Sequence, residues 1–339
     1  GEVNVKKKQI NAIEVAKLAN VSQSTVSRVF TPGAKVSPRT QKRVLEAAQK
    51  IGYRPNALAR GLITNKTNII GLVMGNIQNP FYPEILDEFT KSLYEKGYHV
   101  LFFHTKNDEI TQDEVSQFLE YNVEGVIVTD VLLSSNVVSK LSTHDIPIIL
   151  FNRYTQDSSC HSVCCDNYSA GMKIGEYLYK QGHQKFTYIT GRTNTSTSRD
   201  RERGFAEFLL QKGIKPVIEE GDYTYEAGYS VAMSVLKNRN RPDAIFCAND
   251  IIALGVIDAA KILGLSIPNE LSIVGFDDIS MASWPPYSLT TWQQPVKEMI
   301  EATINMLLNT VDGEATKPQS LLFSGKLLER KSVRLLKNS

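Results

Sequence analysis

The stretch INAIEVAKLANVSQSTVSRVF (residues 10–30), continued by TPGAKVSPRTQKRVLEAAQKIGYRPNALARGL (residues 31–62), decides how the chain is built. A first helical pattern covers residues 12–19, with Asn11 as its N-cap. After the tight turn Asn20-Val21, a second pattern covers residues 23–30 behind Ser22. Two short helices about a tight turn form a helix-turn-helix, whose second member enters the DNA major groove. On that second helix Val26 and Val29 face inward, while Gln23, Ser24, Thr25, Ser27 and Arg28 face out. Such side chains bond base edges and phosphates; an ordinary surface helix is richer in Glu and Lys. Ser37-Pro38, a cap followed by proline at the first helical position, announces a third helix running to about Ile51. Val44, Leu45 and Ala48 are its inward positions, and the result is an all-α head.

Beyond Ile51 the signals weaken. Asn56 is a cap, Ala and Leu follow, and Gly61 is a stop. That allows about two helical turns, too short to be stable alone. Residues 64–68 are polar and read as a linker. Charge follows the same division. Residues 1–68 hold 13 of the 38 Lys and Arg but only 3 of the 36 Asp and Glu, giving +10 against −8 for the remainder. A basic head on an acidic body is the electrostatic footprint of a nucleic-acid-binding head.

The full 339 residues, 42% hydrophobic and 22% charged, describe an ordinary globular protein of two or three domains. No run approaches the roughly 18 apolar residues of a membrane span. Lys6, Lys7 and Lys8 open the chain without the apolar core or cleavage site of a signal peptide. The reading is therefore a cytoplasmic, nucleoid-associated protein. Cys160, Cys164, Cys165 and Cys247 show no paired zinc spacing and read as buried thiols. Cys164 and Cys165, adjacent on a strand, would face opposite ways, so no metal site is expected.

From Ile69 strand-length apolar runs alternate with amphipathic helices. The strands are IIGLVM (69–74), HVLFF (99–103), GVIVT (125–129), PIILF (147–151), HSVCC (161–165), KFTYIT (185–190), DAIFCA (243–248) and LSIVGF (271–276). Helices fall near 81–96, 109–121, 134–143, 168–181, 200–212, 226–237, 251–263 and 295–309. Near-continuous apolar strands alternating with helices mean parallel sheets covered on both faces. Two similar halves, meeting after Cys165, fit the length. Ligands bind such sheets at the strand carboxyl ends, at loops 75–82, 104–107, 152–154, 191–200, 249–250 and 277–284.

The head strongly resembles the DNA-binding head and hinge of LacI/GalR repressors. The body resembles their effector-binding core, which is similar to periplasmic sugar-binding proteins. The motifs are NPFYPEI (79–85), GVIV (125–128), DNYSAG (166–171), RDRERGF (199–205), ANDIIALG (248–255), VGFDD (274–278), SLTTWQQP (288–295) and LLERKSV (327–333). The resemblance implies an all-α helix-turn-helix head with a hinge helix, joined to an α/β core of two doubly wound parallel-sheet subdomains. The head would span 1–53 and the hinge and linker 54–68. One subdomain would comprise 69–165 plus about 292–323, and the other 166–291 plus about 324–339.

It also implies roles. Gln23, Ser24 and Arg28 would contact bases; Ser22, Thr25, Ser27 and Asn56 would contact the DNA backbone. Ser22 and Ser37 are equally explained as helix caps. Leu62 would wedge into the minor groove, with Ala59 letting two hinge helices approach; packing of Leu58 and Leu62 onto the core is the other reading. The effector cleft would be built from Asn79, Phe81, Tyr82, Asn152, Arg153, Arg201, Tyr223, Asn249, Asp277 and Gln294, with Asp166 and Thr197 as secondary candidates. Aromatic faces, amides, carboxylates and arginines are how proteins hold sugar rings. Capping of the helix from Ile251 is a competing reading for Asn249 and Asp250, and favoured for Asp250; Phe81 and Tyr82 also suit a helix-start core.

The function implied is a transcriptional repressor of a carbohydrate-utilisation operon. It would bind a near-palindromic operator as a homodimer, controlled by a pentose or hexose and needing no cofactor. The final residues hold no leucine heptad for a tetramer. A phosphoprotein co-effector and a purine effector are the alternatives. No GxSxG, Walker, GxGxxG or HExxH arrangement supports an enzyme.

Overall fold

The computed structural model describes residues 10–31, 33–56, 61, 66–106, 109–155, 159–314 and 317–336. The chain divides into two compact units, Gly1–Thr67 and Asn68–Ser339.

In the first unit, α1 (Ala12–Ala19) starts at Asn11, whose side chain accepts hydrogen bonds from the amides of Ile13 and Glu14. It ends at Asn20, which adopts the left-handed conformation (φ 51°) that asparagine tolerates. Ser22 caps α2 (Gln23–Val29), accepting from the Thr25 amide at 3.1 Å. Ser37 caps α3 (Pro38–Ile51), and Gly52 closes it at φ 69°. The three helices meet through Val15, Ala16, Ala19, Val26, Val44, Ala47 and Ala48. Leu45 departs from expectation: it is 44% exposed, and Ala47 takes the inward place. The inward stripe is Val44, Ala47, Ala48 and Ile51, at i, i+3, i+4 and i+7, and position 45 falls outside it. Val29 is half-buried at the margin of the same cluster. The segment with Ala59 and Leu62, on which the hinge expectation rests, lies outside the described residues.

The second unit holds two six-stranded sheets. Its elements are β1 (Ile69–Met74), α4 (Phe81–Glu95), β2 (His99–His104), α5 (Gln112–Glu120), β3 (Gly125–Val128), α6 (Ser135–Thr143), β4 (Ile148–Phe151) and β5 (His161–Cys165). Then come α7 (Asn167–Lys180), β6 (Phe186–Ile189), α8 (Ser196–Gln211), β7 (Val217–Glu219), α9 (Tyr225–Val235), β8 (Ala244–Cys247), α10 (Asp250–Ile262) and β9 (Ser272–Asp277). The last are β10 (Thr290–Gln293), α11 (Val296–Val311), β11 (Ser320–Phe323) and β12 (Lys326–Leu328).

The first sheet runs β11-β5-β4-β3-β1-β2 and the second β12-β10-β9-β8-β6-β7. All pairings are parallel except β10 with β12. β3, β4, β5, β6, β8 and β9 are buried throughout, which is why they read as near-continuous apolar runs. The edge strands β7, β11 and β12 are short and half-exposed and left no comparable signal.

The chain passes between the sheets three times: after β5, between β10 and α11, and between β11 and β12. β10 stays in the second sheet through Gln293 and α11 starts at Val296, so the middle crossing falls at Gln294-Pro295. Each sheet reverses its winding direction next to its first strand, β1 or β6. The strand carboxyl ends at these switch points are where an open α/β sheet offers a crevice.

Two pairs of helices are held close by glycine. A methyl on Gly171 of α7 would lie 2.3 Å from the Arg201 carbonyl oxygen, and one on Gly204 of α8 would lie 2.0 Å from that of Tyr168. Gly228 of α9 and Gly255 of α10 repeat this, at 2.3 Å from the carbonyl oxygens of Ile252 and Tyr225. The backbones of α7 and α8 therefore touch, which sets the position of every side chain that α8 projects.

Candidate functional site

The outward face of α2 is open. Ser22, Gln23, Ser24, Ser27 and Arg28 are exposed and Thr25 is half-buried. The hydroxyls of Ser22, Ser24 and Thr25 cluster, with Ser22 Oγ 2.8 Å from each of the other two oxygens. Ser22 therefore caps the helix and remains at the surface. Ser37 does the same at α3, its hydroxyl donating to Thr40 at 2.9 Å. Asn56 is exposed as well.

In the second unit, loops after β1, β3 and β4 face loops and helix starts after β6, β7, β8 and β9. Eight of the ten residues assigned to the cleft line one cavity: Asn79, Tyr82, Asn152, Arg153, Arg201, Tyr223, Asn249 and Asp277. Thr197 also lines it. Phe81 and Gln294 border an adjoining groove that shares Asp277. Asp166 is not in the wall; it caps α7, accepting from the Ser169 amide at 3.0 Å. Asn76, Asp130 and Arg192 complete the lining and were not singled out from the sequence. The signal for Asp130 was its place, a carboxylate just past the apolar run GVIV; Asn76 and Arg192 lie in loops that follow strands.

Each wall residue is fixed by its neighbours. Asp130 accepts from the amides of Gly75 at 2.8 Å and Asn76 at 2.5 Å and from the Thr129 hydroxyl at 2.8 Å, which orders the β1–α4 loop. Phe81 and Tyr82 are buried and meet edge to face at 5.3 Å, so both the core and the cleft readings of this pair hold for Tyr82. Burial, reinforced by the nearby Asp130 charge, pushes the Tyr82 phenol up, and it stays protonated. Tyr223 has φ 55°. Its ring lies flat over Gly191, where a methyl would sit 1.9 Å from Cζ. Its hydroxyl meets those of Thr197 at 3.0 Å and Thr195 at 3.1 Å.

Arg201 lies in the second turn of α8 and does not open it, because α8 starts at Ser196 behind Thr195. Its guanidinium donates to Asn167 Oδ1 at 2.8 Å and to the Ala248 carbonyl at 2.6 Å, and stacks 3.5 Å from the Phe276 ring centre. Asn249 caps α10, accepting from the Ile252 amide at 3.0 Å. That overturns the capping expectation for Asp250. Asp250 is instead fully buried, with its oxygens accepting from Thr291 Oγ1 at 2.6 Å and the Ile279 amide at 2.8 Å. Burial, then the nearby Asp277 charge, holds its carboxyl far above the usual range. Asp277 accepts from Gln294 Nε2 at 2.7 Å, and burial pushes its carboxyl up to about 6 against the opposing pull of Arg201.

Three atoms in this region are buried and unpartnered among the described residues: Asn152 Oδ1, Arg153 Nε and Gln294 Oε1. Buried polar groups are nearly always satisfied, by protein, water or ligand, so a water or a polar group of a ligand would complete the bonding here. The walls are close together. The space between them is about 30 Å³, enough for a water or two. Tyr154, in the loop after β4, donates its hydroxyl to Asp200 on α8 at 2.6 Å and its amide to Ser196 Oγ at 3.3 Å. This contact ties the two halves across the cleft.

All four cysteines are free and buried, and burial raises the thiols of Cys164, Cys165 and Cys247. His161 accepts from the Gln319 amide at 3.1 Å, and burial lowers it. Among the described residues no group of three or more metal-ligating side chains is present, and no helix is long and apolar enough to cross a membrane.

The model of the bacterial regulatory proteins of the lacI family matches residues 13–56, and that of the periplasmic binding protein-like domain matches residues 176–333. The chain is 31% identical over 326 residues to the HTH-type transcriptional repressor PurR of Erwinia tasmaniensis, covering 94% of this chain and 96% of that protein. The chain belongs to the lacI family. It is a DNA-binding transcriptional repressor, and its relatives are regulators, not enzymes. Among solved structures it is similar to the lac repressor dimer bound to operator and the anti-inducer ONPF, with a TM-score of 0.86, 26% identity, and 96% and 99% of the two chains covered. It is also similar to the transcriptional regulator CelR in complex with cellobiose, with a TM-score of 0.70, 26% identity, and 96% and 100% covered.

Proposed function

We propose that this lacI-family repressor acts in the cytoplasm on a carbohydrate-utilisation operon and is controlled by a pentose or hexose in the cleft of its second unit. The observation that carries the reading is the pair Asn152 Oδ1 and Arg153 Nε, buried without partners in the cleft wall. They stand among Asn79, Asn249 and Asp277, which offer the amide and carboxylate partners that sugar hydroxyls take, and beside Tyr82 and Tyr223, whose faces suit a ring's C–H edges. The cellobiose complex of a similar regulator supports this choice of ligand class.

The free space is too small for a sugar ring, so the halves must part for the ligand to enter. Binding is then linked to the angle between them, as any ligand with unequal affinity for two states shifts their balance. Operator binding as a homodimer, with Gln23, Ser24 and Arg28 on bases, Ser22, Thr25, Ser27 and Asn56 on phosphates, and Ala59 and Leu62 at the minor groove, completes the proposal. The operator-bound dimer of the similar lac repressor supports it.

A purine effector is the second reading, favoured by the PurR name of several relatives. A thermal-shift series with pentoses, hexoses, cellobiose and purine bases separates them. A true effector at about a hundred times its Kd stabilises by roughly 2.7 kcal/mol. A shift with purines alone would overturn the sugar reading.

A further inference from the structure

The charges in the cleft do not cancel in pairs. Of the two carboxylates in the wall, Asp130 is consumed by two backbone amides and the Thr129 hydroxyl, and Asp277 is engaged by the Gln294 amide. Arg192 is paired with Asp222 at 2.8 Å. Arg201, only 2% exposed, is hydrogen-bonded and stacked to neutral partners, an asparagine oxygen, a backbone carbonyl and the face of Phe276, and the Asp277 carboxylate, whose charge it feels, makes no ion pair with it. Among the described residues neither Arg153 nor Arg201 makes an ion pair, and the Arg153 Nε is buried without any hydrogen bond. Sheltered guanidinium groups are costly unless a negative group meets them.

The start of α8 adds to this. The helix is sixteen residues long, its first turn is Ser196-Thr197-Ser198 behind Thr195, and that turn contains no acid. Thr197 lies in the cleft wall. A helix N-terminus presents amide N–H groups and the positive end of the helix dipole, a ready place for an anion. The Tyr154 contacts with Ser196 and Asp200 bring the loop that carries Arg153 up to this same turn. Asn152, 4% exposed, precedes Arg153 in that loop; its unpartnered Oδ1 is an acceptor and would take a hydroxyl of the ligand, leaving the anion to the guanidinium and the helix start.

We infer that the effector is an anionic sugar, carrying a carboxylate or phosphate that sits between the start of α8 and the guanidinium of Arg153, with Arg201 behind it. The inference rests on the sugar reading and narrows it. Arg153 sets the charge preference; Asn249 and Asp277 serve the uncharged hydroxyls. Guanidinium matches either oxyanion bidentately, so the two sources of negative charge are separated by experiment.

The test is calorimetric titration of the full chain with matched ligands: glucose against glucuronate and against a glucose monophosphate, ribose against a ribose phosphate, and inorganic phosphate alone. One anionic sugar is expected to bind at least about tenfold tighter than its neutral parent, with the gap shrinking as salt is raised. Arg153→Gln should remove most of that gap and Arg153→Lys should restore part of it, with ligand-free melting showing that both variants fold. A neutral parent that binds as tightly as its anionic derivatives overturns the inference and leaves the sugar reading intact. Inorganic phosphate binding as tightly as any sugar phosphate overturns it too, because sugar recognition would then be absent. Purine bases titrated alongside overturn both if they alone bind.

Discussion

Asp277 and Arg28 show how much one side chain can be asked to do. Asp277 sits where β9 ends, buried, with its carboxyl raised to about 6. In the unfolded chain an aspartate titrates near ~3.9. Between those values the folded protein holds a proton that the unfolded chain has released. Its contribution to stability therefore falls as pH rises through that window and stays unfavourable above it. Asp277→Asn should melt higher than the parent above about pH 6, with the gap closing toward pH ~4. The ionised carboxylate is the acceptor for a ligand hydroxyl, so affinity for a sugar that does not itself titrate in this range, such as glucose or glucuronate, should fall below about pH 6 in the parent and be weak and flat with pH in the variant. Titrations across that range check both. Arg28 is a simpler case. Its exposed head on α2 is free to read a base, and Arg28→Ala should cost about 1–3 kcal/mol at the operator while non-specific binding falls much less. Equal losses on operator and random duplex would show that it contacts only phosphate.

At the level of elements, the sequence disclosed what burial made uniform. β3, β4, β5, β6, β8 and β9 are buried on both faces and largely apolar, so each stood out. β7, β11 and β12 alternate or lie half open at sheet edges, and three- or four-residue strands of that kind look like loop. The start of α8 was placed too late for a related reason: Thr195, Ser196 and Thr197 have loop-like composition, and only the cap at Thr195 shows that the helix has begun. In the cleft, residues that resemble the family's motifs could be named, whereas Asp130 and Tyr154 act through contacts with distant segments that no local pattern records. Close helix packing was likewise invisible. Gly171 and Gly204 look like helix weaknesses in sequence, yet each admits the neighbouring backbone. Gly204→Ala should push α7 and α8 apart at a cost of about 1–3 kcal/mol, seen as a lower Tm. It should also weaken effector binding, since Thr197 and Arg201 ride on α8. Normal affinity in a destabilised variant would mean that the α8 side chains do not hold the ligand.

At the level of the whole molecule, the division into a basic unit and an acidic unit was legible from charge alone, and the two compact units fall at almost the same place. Residues 68–339 contain both sheets and the whole cleft. That fragment should fold alone and bind the proposed effector with the affinity of the full chain, as measured by calorimetry, while losing operator binding. A large loss of affinity in the fragment would show that the head shapes the ligand site.

The three passages of chain between the sheets have a mechanical meaning. Two solid bodies joined by one flexible strand can tumble freely; joined by two they can still twist; joined by three whose ends are fixed in separate sheets, they keep little beyond a single opening rotation. The middle passage begins at Gln294, and Gln294 is bonded to Asp277 in the cleft wall. A molecule gripping Asp277 would thus pull beside the axle of the joint, where a small displacement of a carboxylate becomes a large swing of the far ends.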